Sequence, residues 1–124
     1  MSKSGTSKTS RIHYWAYPGE TPVFDFTQLK ISSKTNTYGF LVTGSWLHFK
    51  GLEICNVKQK KEMNGGMYVE NASENIFELM NFHHIQGTGL FIANTKGNGG
   101  HHILNCDSHD NYDPTSRNGE VPDI

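Results

Sequence analysis

Gly66-Met67-Tyr68-Val69 is the middle copy of a motif that occurs three times in this chain, a glycine followed by three apolar residues. The other copies are Gly39-Phe40-Leu41-Val42 and Gly89-Leu90-Phe91-Ile92, so the motif recurs after 27 and then 23 residues. A repeat of this length is typical of a solenoid, in which each repeat buries its apolar face against its neighbours. Short apolar runs flanked by Gly, Asn and Ser indicate strands.

A second motif follows each copy of the first, at Leu52–Asn56, Phe77–Asn81 and Leu104–Ser108, and it recurs after 25 and 27 residues. The leucine and asparagine signature of leucine-rich repeats is absent, and the 13 glycines disfavour helical repeats. Two or three short strands per repeat predict an all-β fold, a parallel β-helix of about four coils. Neighbouring coils of such a solenoid lie ~4.8 Å apart.

Alignment of the second motif predicts which side chains stack from coil to coil. Because side chains alternate along a strand, two columns should point inward and one outward. These columns are Leu52, Phe77 and Leu104; Ile54, Leu79 and Cys106; and, facing outward, Glu53, Glu78 and Asn105.

The first motif and the two cysteines complete the predicted arrangement. In the first motif Leu41, Tyr68 and Phe91 should form a further outward column, either stacking on sugar rings or covered by a loop or a partner. The alignment puts Cys55 and Cys106 on opposite faces and two coils apart, ~9.6 Å, which exceeds the ~7 Å Cα limit for a disulfide. We therefore expect free thiols.

Composition limits the chain to one domain with an ordinary surface. The chain has 124 residues, 35% of them hydrophobic, and a net charge of −1. This balance predicts no nucleic-acid partner and no membrane partner, and no 18-residue apolar run is present. Residues 1–10 are polar, lack the apolar segment of a signal peptide and are expected to form a flexible lead-in to a partial β-helix domain at 11–124.

Several stretches resemble family 9 polysaccharide lyases. They are residues 71–79, Phe82-His83-His84, Asn105-Cys106-Asp107-Ser108, Asn111-Tyr112-Asp113-Pro114, and, less specifically, residues 16–26 and 49–54. The resemblance covers about residues 11–120. It implies that the β-helix is right-handed and that the chain derives from a secreted or periplasmic enzyme cleaving pectic polysaccharide, either polygalacturonate or rhamnogalacturonan.

The chemistry of such lyases defines what the chain would need. A lyase removes the C5 proton of a uronate, and the resemblance implies Ca²⁺ held by aspartates, with a lysine as base. Asp123 is the one position that matches a family calcium ligand, since the aspartate cluster and the catalytic lysine have no counterpart in residues 1–124. We therefore expect a lyase fragment that is inactive by itself.

The candidate substrate-binding residues are Asp107, His109, Asp110 and His83. Asp110 to Asp113 are expected to be turn residues that bond backbone amides ahead of Pro114, and the alternative is adventitious or substrate-linked calcium. Adjacent histidines on a strand face opposite ways, and no His-x-x-x-His spacing occurs, so the pattern disfavours a zinc site.

Two other classes of function stay open from the sequence. The chain could be a non-catalytic carbohydrate-binding module, or a purely structural segment. Neither end has an evident cap, and open coil ends favour self-association into a homo-oligomer.

Overall fold

The computed structural model describes residues 1–31, 37–59, 65–97 and 99–114. Asp123, the predicted calcium ligand, lies outside these residues. The strands are β1 (Ile12–Trp15), β2 (Val23–Asp25), β3 (Tyr38–Val42), β4 (Leu47–Lys50), β5 (Glu53–Cys55), β6 (Gly65–Glu70), β7 (Ile76–Glu78), β8 (Asn81–His83), β9 (Thr88–Ala93), β10 (His102–Leu104) and β11 (Asp107–His109).

Each strand pairs with the strand that lies three strands later in the chain. The pairing generates three sheets, sheet 1 (β1-β4-β7-β10), sheet 2 (β2-β5-β8-β11) and sheet 3 (β3-β6-β9), and all the pairs are parallel. Three strands therefore make one coil, and the described residues contain three such coils plus two strands of a fourth. The predicted parallel β-helix is confirmed.

The core consists of columns of inward side chains that stack from one coil to the next. In sheet 1 the rings of Phe49 and Phe77 stack at 5.5 Å with parallel planes, and both are fully buried. In sheet 2 Ile54 lies in register with Phe82, and in sheet 3 Met67 lies in register with Leu90. Since each residue packs on its equivalent one coil away, burial comes from the repeat itself.

The glycine of the first motif is required by the close stacking in sheet 3. A Cβ at Gly39 would lie 2.6 Å from the carbonyl oxygen of Gly66, and a Cβ at Gly66 would lie 2.8 Å from that of Gly89. Both distances are too short for a real side chain. The predicted register of this motif is confirmed, because Phe40, Met67 and Leu90 are consecutive partners.

The predicted register of the second motif is wrong. Phe77 pairs with Phe49 and Ile103, not with Leu52 and Leu104, and Ile54 pairs with Phe82, not with Leu79. The motif is in fact the end of one strand, a short bend and the start of the next strand. What was expected to be one strand therefore belongs to two sheets.

The bends explain this error. The residue after each of β4, β7 and β10 has a positive φ, 71° at Gly51, 52° at Leu79 and 50° at Asn105. A residue in this left-handed region turns the chain sharply, so the alternation of faces cannot continue through it. Leu79 is consequently 51% exposed rather than inward.

The same conformation recurs after the strands of sheet 2. Asn56, His84 and Asp110 follow β5, β8 and β11 with φ of 61°, 52° and 54°. Asn81, which the second motif aligned with Asn56, instead begins β8 in register with Glu53. Stacked left-handed residues of different types form this corner of the coil.

Glu53 and Glu78, which were expected to be neighbours in one outward column, have basic partners instead. Glu78 lies in register with Lys50 and contacts its Nζ at 3.1 Å, and it also contacts His48 Nε2 at 2.9 Å. Glu53 belongs to sheet 2 and contacts His83. The correct register thus removes the like-charge pair.

The lead-in is hydrogen-bonded to the β3–β4 connection. The Met1 carbonyl accepts from the amides of Thr43 and Gly44, at 2.9 and 3.1 Å, and the Gly5 amide donates to Ser45 at 3.0 Å. The N-terminal ammonium donates to the Leu41 carbonyl at 2.8 Å. The flexibility of residues 1–10 in solution stays a prediction, as do the domain limits.

The described residues contain no helix that is long and apolar enough to cross a membrane.

Cys55 and Cys106 are both free thiols, as expected.

Candidate functional site

The outer face of sheet 2 carries the polar cluster with the densest contacts between ionisable side chains. Ile54 and Phe82 point inward and are fully buried, so their neighbours on β5 and β8 point outward. Glu53 and Cys55 lie on the same side of β5, and His83 is the register partner of Cys55 one coil away. Strand alternation and coil stacking together bring these three side chains to one place.

His83 is the centre of this cluster. Its Nε2 lies 2.7 Å from Glu53 Oε1, and its Nδ1 lies 2.7 Å from His84 Nδ1. Its ring also stacks on that of His109 at 5.2 Å with the planes 9° apart. His109 Nδ1 in turn lies 2.8 Å from Asp110 Oδ2.

The structure therefore brings three of the four predicted substrate-binding residues, His83, His109 and Asp110, into one group. Asp107 lies two residues before His109 on the same face of β11, exposed and in register with Asn81 rather than with Cys55 as the sequence alignment predicted. His83 and His84 were expected to face opposite ways along one strand. They do not, because the chain bends at His84, which has a positive φ, and its ring lies edge-on to that of His83.

Two side chains of the cluster have pKa values that are shifted from their ordinary values. The pKa of Asp110 is lowered, chiefly because its carboxylate accepts a hydrogen bond from His109. The pKa of the Cys55 thiol is raised, first by burial and then by the negative charges of Asp25 and Glu53. Cys55 is thus a protonated thiol at neutral pH in the absence of a bound cation.

A cleft of about 360 Å³ adjoins the cluster. It runs along the corner that follows sheet 2, and His84 is part of its wall together with Thr27, Asn56, Lys58 and Tyr112. The cleft therefore combines an amide, an aromatic ring and a cationic side chain, which are groups that can contact a sugar and its carboxylate.

The outer face of sheet 1 is a second surface with an aromatic and basic character. Trp15 is 50% exposed, its ring stacks on His13 at 4.2 Å, and Lys50 Nζ lies 5.6 Å from its ring centroid. His48 lies edge-on to the same indole at 5.1 Å. The sequence alignment missed this face, because β1 was not aligned with any later strand.

The predicted outward column on sheet 3 is only partly exposed. Leu41, Tyr68 and Phe91 are register partners, and Tyr68 stacks on Tyr38 at 4.6 Å and on Phe91 at 5.2 Å. Tyr68 is only 8% exposed, so its faces are occupied by the neighbouring rings. Tyr68 is thus covered by rings of its own sheet, and whether the column binds a sugar, a loop or a partner stays a prediction.

The described residues do not fit calcium. Calcium binds about six to eight oxygen ligands. Within the described ranges the group of His, Cys, Asp and Glu side chains able to converge on one ion is Glu53, Cys55 and His83, which offers oxygen, sulfur and nitrogen. Sulfur and imidazole nitrogen suit softer metals, so no calcium-dependent step is assigned to these residues.

Glu53 and Cys55 are the residues of the cluster that sequence reasoning missed. Their partner His83 lies 30 and 28 residues away in sequence, so no short spacing motif reports it. A correct alignment of Glu53-Ile54-Cys55 with Asn81-Phe82-His83 would have found the group, since both segments carry a single apolar residue between two polar ones.

Comparison with known proteins agrees with this architecture. The family described as "Pel9A-like, right handed beta helix region" matches residues 1–123. Pectate lyase L of Dickeya chrysanthemi is 39% identical over 123 residues, which is 99% of this chain and 27% of that protein. Pectate lyase L of Paenibacillus polymyxa (strain SC2) is 34% identical over 115 residues, covering 87% of this chain and 23% of that protein.

A solved structure gives the same result in three dimensions. The crystal structure of pectate lyase Pel9A matches with a TM-score of 0.75 and 33% identity, over 98% of this chain and 28% of that chain. The present chain thus spans about a quarter of the length of the relatives it matches, and the predicted right-handed winding is confirmed. The chain belongs to the Pel9A-like right-handed β-helix family, the β-helix of family 9 pectate lyases.

Proposed function

We propose that this chain forms coils of a secreted, calcium-dependent lyase that cleaves pectic polysaccharide by β-elimination. The observation that carries the proposal is the coil-by-coil likeness to pectate lyases, at 39% identity and a TM-score of 0.75 over nearly the whole chain. The relatives are named for their action on pectate, which is a polymer of uronates. Polygalacturonate is therefore the first substrate to test, with rhamnogalacturonan as the second.

In this proposal the outer face of sheet 2 contacts the polysaccharide. Asp107, His109, Asp110 and His83 lie there on consecutive coils, and coils ~4.8 Å apart provide contacts about every sugar unit along a chain. The imidazole nitrogens can donate to sugar hydroxyls and carboxylates, and the aspartates can accept from hydroxyls. Isothermal titration with oligogalacturonides should give a measurable heat, and His83→Ala should weaken it.

We infer that the chemical step needs groups outside residues 1–124. The lysine base and the aspartate cluster implied by the family have no counterpart in this sequence. Among the described lysines, Lys50 forms a salt bridge with Glu78. The calcium that such a lyase uses would neutralise the uronate carboxylate, and Asp123 is the one residue here proposed as a ligand for it.

The decisive experiment is an activity assay of the chain alone. Polygalacturonate and calcium are added at alkaline pH, and the ultraviolet absorbance of unsaturated products is followed. We expect no absorbance increase above the rate without protein. A strong increase, abolished by a calcium chelator, would show that these residues contain a complete catalytic site.

A second candidate function is non-catalytic binding of pectic polysaccharide, favoured by the outer face of sheet 1. The half-exposed indole of Trp15 has Lys50 beside it, so a sugar ring could stack on the indole while its carboxylate meets the ammonium group. Trp15→Ala and His83→Ala form a matched pair, because each removes one ring from the outer side of one sheet. The face whose variant loses binding heat is the binding face.

We also propose that the coil ends self-associate. Within the described residues β10 pairs only with β7 and β11 only with β8, and Ile103 and Leu104 are 40% and 44% exposed. An unpaired strand edge with apolar side chains is a template for pairing with another chain. Sedimentation velocity should show a concentration-dependent dimer, and a monomer at the highest soluble concentration would refute this.

A further inference from the structure

Three different metal-ligand side chains converge on the outer face of sheet 2. The carboxylate of Glu53, the thiol of Cys55 and the imidazole of His83 have their ligand atoms all within 4.8 Å of one another. Two of the ligands come from β5 and the third from β8. Their placement follows from backbone register, since Cys55 and His83 are direct partners and Glu53 is two residues from Cys55 on the same face.

We propose that Glu53, Cys55 and His83 bind a zinc ion, with a water molecule as the fourth ligand. Zinc takes Cys sulfur, His nitrogen and carboxylate oxygen in tetrahedral sites, and bonds of ~2.0–2.3 Å place the ligand atoms roughly 3.3–3.7 Å apart. The observed separations, all within 4.8 Å, need side-chain rotation but no change of the backbone.

The charges of this ligand set suit a divalent cation. A carboxylate and a thiolate supply two negative charges, and a neutral imidazole adds none, so the occupied site is electrically neutral. Neutrality matters here because Cys55 is only 4% exposed. The nitrogen and sulfur donors select zinc over calcium, so this site is separate from any calcium used in the proposed lyase reaction.

The surroundings complete the site in the way that zinc ligands usually require. A zinc-bound histidine uses its second nitrogen for a hydrogen bond that fixes the ring, and His83 Nδ1 has that partner in His84 Nδ1 at 2.7 Å. Asn56 Nδ2 lies 3.5 Å from Cys55 Sγ and donates to it. An amide donor at sulfur stabilises the thiolate form.

Binding replaces a proton by the metal. In the metal-free chain Glu53 Oε1 and His83 Nε2 are joined by a hydrogen bond of 2.7 Å, whose proton lies between the two ligand atoms. On zinc binding the His83 proton moves from Nε2 to Nδ1 and is donated to His84 Nδ1, the proton of His84 Nδ1 passes to its own Nε2, and the Cys55 thiol releases its proton to solvent. One proton should therefore be released per zinc bound near neutral pH.

The test uses the 124-residue chain without an affinity tag, titrated with zinc against a chromophoric chelator and separately with cobalt(II). We expect one zinc per chain, one proton released, and a cobalt-to-thiolate charge-transfer band with the intense visible absorption of tetrahedral cobalt. Cys55→Ser should abolish the charge-transfer band and the proton release. Glu53→Gln and His83→Gln should each weaken zinc binding more than tenfold, and His84→Ala about tenfold.

Cys106→Ser is the matched control, because Cys106 is the second free thiol and also lies at the end of a bend between two strands. The Cys106→Ser variant should keep the cobalt charge-transfer band and the zinc affinity of the wild type. Glu53→Gln tests the site even if Cys55→Ser fails to fold, since Glu53 is partly exposed and its amide replacement is isosteric. Zinc affinity that is unchanged in Glu53→Gln and His83→Gln would mean that surface histidines bind the metal and would overturn the proposal, as would a band lost in Cys106→Ser.

Discussion

Asn75→Ala should destabilise the chain more than its small change in volume suggests. Asn75 lies fully buried before β7, and its side chain connects two coils. Its Oδ1 accepts from the Leu47 amide at 2.9 Å, and its Nδ2 donates to the Gly44 carbonyl at 2.9 Å. Gly44 and Leu47 are themselves buried, so neither backbone group can turn to bulk water when the amide is removed.

The magnitude follows from these two groups. A buried donor or acceptor left without a partner costs about 1–3 kcal/mol. Two such groups give about 2–6 kcal/mol, and a water molecule entering the vacated space would recover part of it, so we expect a loss of about 3 kcal/mol. For a domain of this size that is a fall in Tm of roughly 12 °C.

The assay is urea unfolding followed by the fluorescence of Trp15 and Trp46, with the Tm measured separately. Asn81→Ala is the matched control, because the buried Oδ1 of Asn81 has no hydrogen-bond partner. The control should lose less than about 1 kcal/mol. If Asn75→Ala loses no more than Asn81→Ala, the cross-coil role assigned to Asn75 is refuted.

Three further predictions use the same unfolding assay. Gly66→Ala should cost about 1–3 kcal/mol, because the new methyl group would meet the backbone of the next coil, and an unchanged midpoint would contradict the reason given for the repeated glycine. Phe77→Ala should cost about 3–5 kcal/mol as a fully buried ring is removed, whereas Leu104→Ala, in a 44% exposed residue of the same sheet, should stay within about 0.5 kcal/mol; equal losses would argue against the inward column. The pKa of Glu78 is lowered from its ordinary 4.5, chiefly by the hydrogen bond from Lys50, so its ionised form stabilises the fold above that value and the benefit is lost as the pH falls through the lowered pKa. The free energy of unfolding of the wild type should therefore exceed that of Glu78→Gln by no more than about 1 kcal/mol at neutral pH, and the two should be equal in acid. A difference that widens in acid would contradict the assignment.

The repeat could be found from the sequence because the first motif has a physical marker. Gly39 and Gly66 lie where the backbones of sheet 3 approach too closely for a side chain, and Gly89 continues the same register, so the repeated glycine marks the alignment of that motif. Strand type, parallel pairing and the number of coils followed from it. The same motif also put Leu41, Tyr68 and Phe91 in the correct column.

The second motif failed because its strands are only three residues long. Phe77-Glu78 and Asn81-Phe82 are separated by Leu79 and Met80, and the apolar, polar, apolar order of Phe77, Glu78 and Leu79 carries the appearance of a strand into the bend. Non-glycine residues with positive φ are uncommon, and a leucine in the sequence does not indicate that conformation. The shifted register hid Glu53 and Cys55 from His83. The structure groups His83 with His109 and Asp110, and their role in substrate binding stays a prediction.

The corner formed by Asn56, His84 and Asp110 shows how such a scaffold can change its chemistry without changing its shape. The main chain takes φ values between 52° and 61° at the three positions, whether the side chain is an amide, an imidazole or a carboxylate. All three residue types tolerate the left-handed region, so the side chain at the corner can vary among such residues while the winding stays the same. Mutation could rewrite this edge one coil at a time, so that a new ligand could be recruited while the path of the chain stays constant.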